Sequence, residues 1–123
     1  MILLDTSVLV DSLTGPRRSV SELRSALADR QRLRIPTLVL YEWLRGPRLP
    51  EELEAQEALF PSAAAITFGV AEAQTAAELY RRVDNARGRE VDLAIAACAL
   101  VRRAGVWTLN RRDFDDIPGL RLH

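Results

Sequence analysis

The chain has 123 residues, 48% of them hydrophobic, and its 17 basic side chains balance its 17 acidic ones. This length predicts one domain with a core large enough to fold without disulfides or a structural metal. No apolar run is long enough to span a membrane. The opening segment reaches Asp5 without a basic stretch, so we expect no secretory signal.

The single cysteine, Cys98, excludes an internal disulfide and a cysteine-based zinc site. The single histidine, His123, is the last residue, which argues against His-dependent triads and His-clustered metal sites. A reducing cytoplasm is therefore the expected compartment. All 17 basic residues are arginine; codon bias in a GC-rich genome explains this more simply than function, although a planar guanidinium suits phosphate.

Strands and helices are predicted to alternate along the chain. Short apolar runs predict strands at residues 1–4, 33–35, 64–68, 106–109 and 120–122. Helical spacing of apolar residues predicts helices at 6–13, 20–31, 37–45, 50–60, 70–86 and 90–104. Ser19 and Glu22 fit a capping box at the start of the second helix. This alternation predicts an α/β fold with a central, mostly parallel sheet of four to five strands, flanked by helices.

Acidic residues fall at one predicted edge of this sheet. Asp5 directly follows the first strand, and Asn110 and Asp113 follow the fourth. Asp92 lies in the first turn of a helix, and helices that return across a parallel sheet begin where its strands end. Glu42 lies about 7 Å into its helix at 1.5 Å per residue, with its side chain tilted back toward that edge.

Each of these acids also has a purely structural explanation. Asp5 can cap the following helix, and Asp92 can occupy a first turn that the helix dipole favours. Together they lie among apolar neighbours, where like charges about 4 Å apart repel by up to about 4 kcal/mol. Either some are protonated or cations are present, and oxygen ligands alone select Mg²⁺ or Mn²⁺. Such ions activate water and hold phosphate oxygens, which favours phosphodiester hydrolysis.

Four segments resemble, in order, the motifs of the PIN-domain family, specifically the VapC-type toxins of bacterial toxin–antitoxin pairs. Residues 5–10 (DTSVLV) resemble the first motif, and Glu42 at the end of 36–42 resembles the second. Residues 92–97 (DLAIAA) resemble the third and 108–114 (TLNRRDF) the fourth. The four segments span nearly the whole chain.

The resemblance implies one PIN domain over residues 1–123, with a Rossmann-like sheet of order 3-2-1-4-5. It implies a Mg²⁺- or Mn²⁺-dependent endoribonuclease, the toxin of a VapBC-like pair, which hydrolyses RNA with metal-activated water. It also implies a homodimer and inhibition by a cognate antitoxin. The antitoxin is expected to dock on an apolar surface such as that around Tyr41, Trp43 and Leu44.

By this resemblance Asp5, Asp92 and Glu42 are the metal ligands. Asp113 or Asn110 positions the attacking water, and Ser7 assists the site near Asp5. Flanking phosphates are expected to bind the arginine clusters, namely Arg87, Arg89, Arg111 and Arg112. Some members carry an acid where Asn110 stands, so the number of ions is left open.

Two other interpretations compete with the nuclease. The amide at Asn110 favours a non-catalytic PIN-like module that binds RNA or protein. A phosphoryl-accepting receiver domain also has an acidic sheet edge but needs a nearby lysine, and the chain contains none. No glycine-rich loop follows the first strand, which excludes phosphate-loop and dinucleotide enzymes.

Overall fold

The computed structural model describes every residue from Met1 to His123. In chain order the elements are β1 (Ile2–Leu4), α1 (Thr6–Leu13), α2 (Val20–Ala28), β2 (Leu33–Arg34), α3 (Thr37–Arg45), α4 (Pro50–Leu59), α5 (Val70–Arg82), α6 (Glu90–Val101), β3 (Gly105–Trp107) and β4 (Arg121–Leu122). Single 3₁₀ turns follow α4 and β3. The predicted fold class is confirmed.

The sheet has the order β2-β1-β3-β4, and all of its strands are parallel. The prediction of a strand at 64–68 is wrong, because Ala64 ends a 3₁₀ turn and alanine has little preference for strands. Only Ile66 pairs with the sheet: its N–H donates to the Ile35 carbonyl and its carbonyl accepts from Thr37 N–H. This parallel bridge lies beside the end of β2, where the predicted order 3-2-1-4-5 puts its outer strand.

Three helices end earlier than predicted. Backbone in the left-handed region follows α2 at Arg30 (φ 58°) and α6 at Arg103 (φ 54°), and α5 ends on extended backbone at Val83. The predicted capping box at Ser19 is also wrong. The Ser19 hydroxyl makes no cap and instead donates to Asp11 Oδ2 at 2.5 Å.

The core forms between the sheet and its helices, with α6 at its centre. Every residue from Leu93 to Ala99 is buried, because this helix is apolar on all sides. Cys98 and Trp107 are buried in this core, as expected for a small hydrophobe and a core aromatic. Trp43 is fully buried, so the prediction that it belongs to the antitoxin-docking surface is wrong. Tyr41 and Leu44, which were predicted with it, are more than half exposed. None of the helices is both long and apolar enough to cross a membrane.

Candidate active site

Asp5 lies at the carboxyl end of β1 and is 5% exposed. Its Oδ1 caps α1 by accepting the Thr6 N–H at 2.8 Å. Its Oδ2 accepts the hydroxyls of Ser7 at 3.0 Å and Thr108 at 2.8 Å. Because a carboxylate offers about four acceptor positions, one on Oδ1 stays free for a ligand. Asp5 is therefore both the helix cap and a fixed acid at the sheet edge.

The Ser7 and Thr108 hydroxyls also hold the loop after β3. Ser7 Oγ accepts the N–H of Leu109 at 3.0 Å, and Thr108 Oγ1 accepts that of Asn110 at 2.9 Å. Each hydroxyl thus accepts a hydrogen bond from a backbone N–H and donates one to Asp5. The network fixes the orientation of Asp5 relative to the loop that carries Asn110.

Glu42 reaches the same edge from the middle of α3. Its Oε1 accepts the Thr6 hydroxyl at 2.6 Å, which ties it to the first residue of α1. Its Oε2 lies 3.5 Å from Arg45, one helical turn later. The side chain is 20% exposed, so Glu42 keeps access to solvent while its direction is set.

Asp92 lies half-buried in the first turn of α6, where the negative charges of the other acids act on it. Burial, as the largest cause, and then the charges of Asp5, Asp113 and Glu42 together raise the pKa of Asp92 to about 6. Arg89 acts in the opposite direction. This carboxyl holds its charge poorly because it is desolvated beside like charges.

These residues line one open cleft of about 590 Å³. Its walls include Asp5, Glu42, Asp92, Ser7 and Asn110. The acids share the cleft, but no three of them are gathered closely enough to hold a metal ion as they stand. The donor set nevertheless fits a hard divalent ion, since it consists of oxygens alone and includes an acid destabilised by its neighbours. Such an ion would offset the repulsion that Asp92 experiences.

The other predicted site residues lie outside this cleft. Asp113 is exposed in the 3₁₀ turn after β3 and acts on Asp92 through its charge. Arg89 forms an ion pair with Asp116 at 2.6 Å, and Arg111 donates to the His123 carbonyl. Arg87 and Arg112 are exposed. Substrate binding by these four arginines stays a prediction.

Three residues of the site were not predicted from the sequence. Thr6 and Thr108 lie inside the quoted motifs; Thr6 adjoins Asp5 and Thr108 directly follows β3, so a hydroxyl at the end of a strand was the available signal. Arg18 also lines the cleft, from the connection between α1 and α2. Nothing in the spacing of the sequence distinguishes it from Arg17.

Comparisons with known proteins identify the family and the fold. The model of the PIN domain family matches residues 2–120. Ribonuclease VapC19 of Mycobacterium tuberculosis (strain ATCC 25618 / H37Rv) is 33% identical, and the alignment covers 98% of each chain. A chain of the DNA-bound VapBC crystal structure from Salmonella typhimurium is 26% identical with a TM-score of 0.74, covering 99% of this chain and 96% of that one. A chain of VapBC2 from Rickettsia felis, bound to a promoter DNA fragment, has the same fold at 22% identity, with a TM-score of 0.73 and coverage of 100% and 98%.

Proposed function

The chain belongs to the PIN-domain family, and from that membership and its acidic cleft we propose that it is a divalent-metal-dependent endoribonuclease, the toxin of a toxin–antitoxin pair. The observation that carries the proposal is the meeting of Asp5, Glu42 and Asp92 in one cleft, although they are far apart in sequence. The 33% identity to a ribonuclease over nearly the full length supports RNA as the substrate.

The acids named above are the proposed ligands of Mg²⁺ or Mn²⁺: Asp5, Asp92 and Glu42. A hard divalent ion supplies Lewis-acid stabilisation of phosphate charge and makes water more acidic. Asp5 contributes a fixed orientation, set by the hydroxyls of Ser7 and Thr108. Glu42 contributes a carboxylate whose direction is set by Thr6.

The remaining polar groups act around this centre. Asn110, exposed at the rim of the cleft, offers an amide that can orient water or substrate without adding charge. The negative charge of Asp113 acts on Asp92, and a bound cation would offset this repulsion. No side chain of the cleft is a cysteine or histidine, so hydrolysis by water is favoured over a covalent intermediate on those groups.

The proposed partners are an antitoxin and a second copy of this chain. The likeness to a VapBC chain at 26% identity supports the antitoxin. An apolar groove between α5 and α6, lined by Phe68, Tyr80 and Leu93, supports a homodimer. Action in the reducing cytoplasm fits Cys98, which is buried and unpaired.

The test is cleavage of single-stranded RNA in the presence of Mg²⁺ by the wild type and by Asp92→Asn. The variant keeps the size of the side chain but removes a charged ligand, so we expect at least a hundredfold loss of kcat, about 2.7 kcal/mol. Binding of the same RNA to Asp92→Asn serves as the folding control. Undiminished cleavage by the variant would overturn the proposal, and RNA binding without cleavage by the wild type would favour the non-catalytic module.

A further inference from the structure

Of the seventeen arginines, Arg18 is the one that lines the acidic cleft. We propose that Arg18 binds a phosphate that flanks the scissile one and so directs the RNA strand along α1. This inference rests on the ribonuclease function proposed above. It assigns substrate binding to a residue outside the four segments that resemble family motifs.

The loop that carries Arg18 is fixed on both sides. On one side the Thr14 hydroxyl donates to the Val10 carbonyl at 2.7 Å, and the Arg17 N–H donates to the Thr14 carbonyl at 3.2 Å. On the other side the buried Ser19 donates its hydroxyl to Asp11 at 2.5 Å. Both anchors return to α1, so the backbone of Arg18 is held in a defined place relative to the cleft.

The guanidinium of Arg18 is free to take a ligand. Arg18 is exposed and forms no ion pair with any carboxylate of the chain. Arg89, by contrast, has both terminal nitrogens occupied by Asp116 and by carbonyl groups. A planar fork of five donors without a partner, at the edge of a site for an anionic polymer, matches phosphate in geometry and charge.

The position of Arg18 selects a flanking phosphate. Asp5 precedes α1 and Arg18 follows it, and an eight-residue helix is about 12 Å long. Between them one face of α1, with Val10, Asp11 and Thr14, forms the wall of the cleft. Arg18 thus lies along this wall from Asp5, beside the far half of α1, and we place its guanidinium on a phosphate next to the one beside Asp5. Loss of Arg18 should weaken RNA binding and leave the chemical step intact.

The test compares cleavage of a short single-stranded RNA by the wild type, Arg18→Ala and Arg18→Lys across a series of salt concentrations. For Arg18→Ala we expect KM to rise about tenfold while kcat changes less than about twofold, as for loss of one charge-assisted hydrogen bond. The slope of log(kcat/KM) against log salt should become shallower by about 0.7, the value for one phosphate contact on a single strand. Arg18→Lys should keep the slope, with an intermediate KM.

The matched control is Arg32→Ala. Arg32 is exposed and precedes β2, so it lies at the amino end of the strands, away from the cleft. This variant should leave KM and the salt slope unchanged. The proposal is overturned if Arg18→Ala behaves like this control. It is also overturned if Arg18→Ala lowers the Mg²⁺ requirement with KM unchanged, since Arg18 would then only offset the charge of the acids.

Failure of the ribonuclease function is recognised separately, because the wild type would then cleave no RNA. Fluorescence anisotropy with the same labelled RNA still decides the role of Arg18 in that case. A tenfold weaker affinity in Arg18→Ala, with Arg32→Ala unchanged, supports the contact. Equal affinities for all three proteins refute it.

Discussion

Asp92 is proposed to bind a metal ion as a carboxylate, but its surroundings in the fold disfavour the charged form. Burial and three nearby acids raise its pKa from 3.8 to about 6. Between these two values the folded state binds more protons than the unfolded state. The contribution of Asp92 to the free energy of unfolding therefore falls as pH rises from about 4 to 6 and stays low at neutral pH.

Replacement of Asp92 by asparagine should stabilise the protein at neutral pH in the absence of divalent ions. We expect the free energy of unfolding to rise by about 1 kcal/mol, less than the full pKa shift implies because the carboxyl is half-exposed to screening solvent. Urea denaturation in EDTA measures it. The difference from wild type should shrink as pH falls from about 6 to 4.

The control for this prediction is Asp115→Asn, which removes an exposed carboxyl outside the cleft. Its stability difference from wild type should not follow the same pH profile. An Asp92→Asn protein that is less stable than wild type at neutral pH would show that the carboxylate is instead stabilised by its surroundings.

At the scale of residues, the sequence predicted the acids of the cleft better than their supports. Asp5 and Asp92 were placed by a general rule, since strand ends and helix starts meet at one edge of a parallel sheet. The role of Thr108 could not be predicted without the register of β3 against β1, which places its hydroxyl 2.8 Å from Asp5. The role of Arg18 depends on the conformation of a loop, which the periodicity of apolar residues does not predict.

At the scale of elements, Arg89 connects the start of α6 to the loop after β3. Its guanidinium donates to both oxygens of Asp116, at 2.9 and 2.6 Å, and to the carbonyls of Asp84 and Asp113. The Arg89 side chain is 18% exposed. One side chain thus holds three segments of the chain at the edge where Asp92 lies.

Removal of this connection in Arg89→Ala should lower the free energy of unfolding by about 1–2 kcal/mol, because four hydrogen bonds to a charged group are lost and partly replaced by water. Chemical denaturation measures the change. Arg87→Ala, which removes an exposed arginine two residues away, should stay within about 0.5 kcal/mol of wild type. Weaker RNA binding by Arg89→Ala at unchanged stability would instead support the phosphate-binding role predicted from the sequence.

The elements themselves followed from local signals wherever the chain has strong breakers. The bounds of α1 and α3 agree with the prediction, since Gly15 and Gly46 follow them closely. The ends of α2 and α6 differ from the prediction. Arg30 and Arg103 adopt the left-handed backbone conformation there, and an arginine in the sequence does not predict that conformation. Residues 64–68 were assigned as a strand from apolar content, although only Ile66 pairs with the sheet.

At the scale of the whole molecule, the parallel sheet brings distant acids to one cleft without closing them around an ion. β1 supplies Asp5, α3 supplies Glu42 and α6 supplies Asp92, and each element is fixed by the common core. The sequence predicted that these acids lie together at one edge of the sheet and bind a divalent ion. The structure has a looser arrangement, in which no three acids are positioned to hold an ion. Repulsion among like charges opposes a tighter one until a cation is bound.

Divalent ions should therefore stabilise the folded protein, in a way that depends on Asp92. At Mg²⁺ about a hundredfold above its Kd, the free energy of unfolding should rise by about 2.7 kcal/mol, because only the folded chain assembles the ligands. Urea denaturation with Mg²⁺, against NaCl of equal ionic strength as the control, measures the gain.

The same titration on Asp92→Asn should show little gain, because the variant lacks one ligand and the repulsion that an ion relieves. The two proteins should therefore exchange rank: the variant is the more stable without Mg²⁺, and the wild type is the more stable with it. An equal gain in both proteins would place the ion elsewhere. If the free energies of unfolding of the two proteins cross as Mg²⁺ is added, the carboxylate that destabilises the metal-free protein is the one that binds the ion.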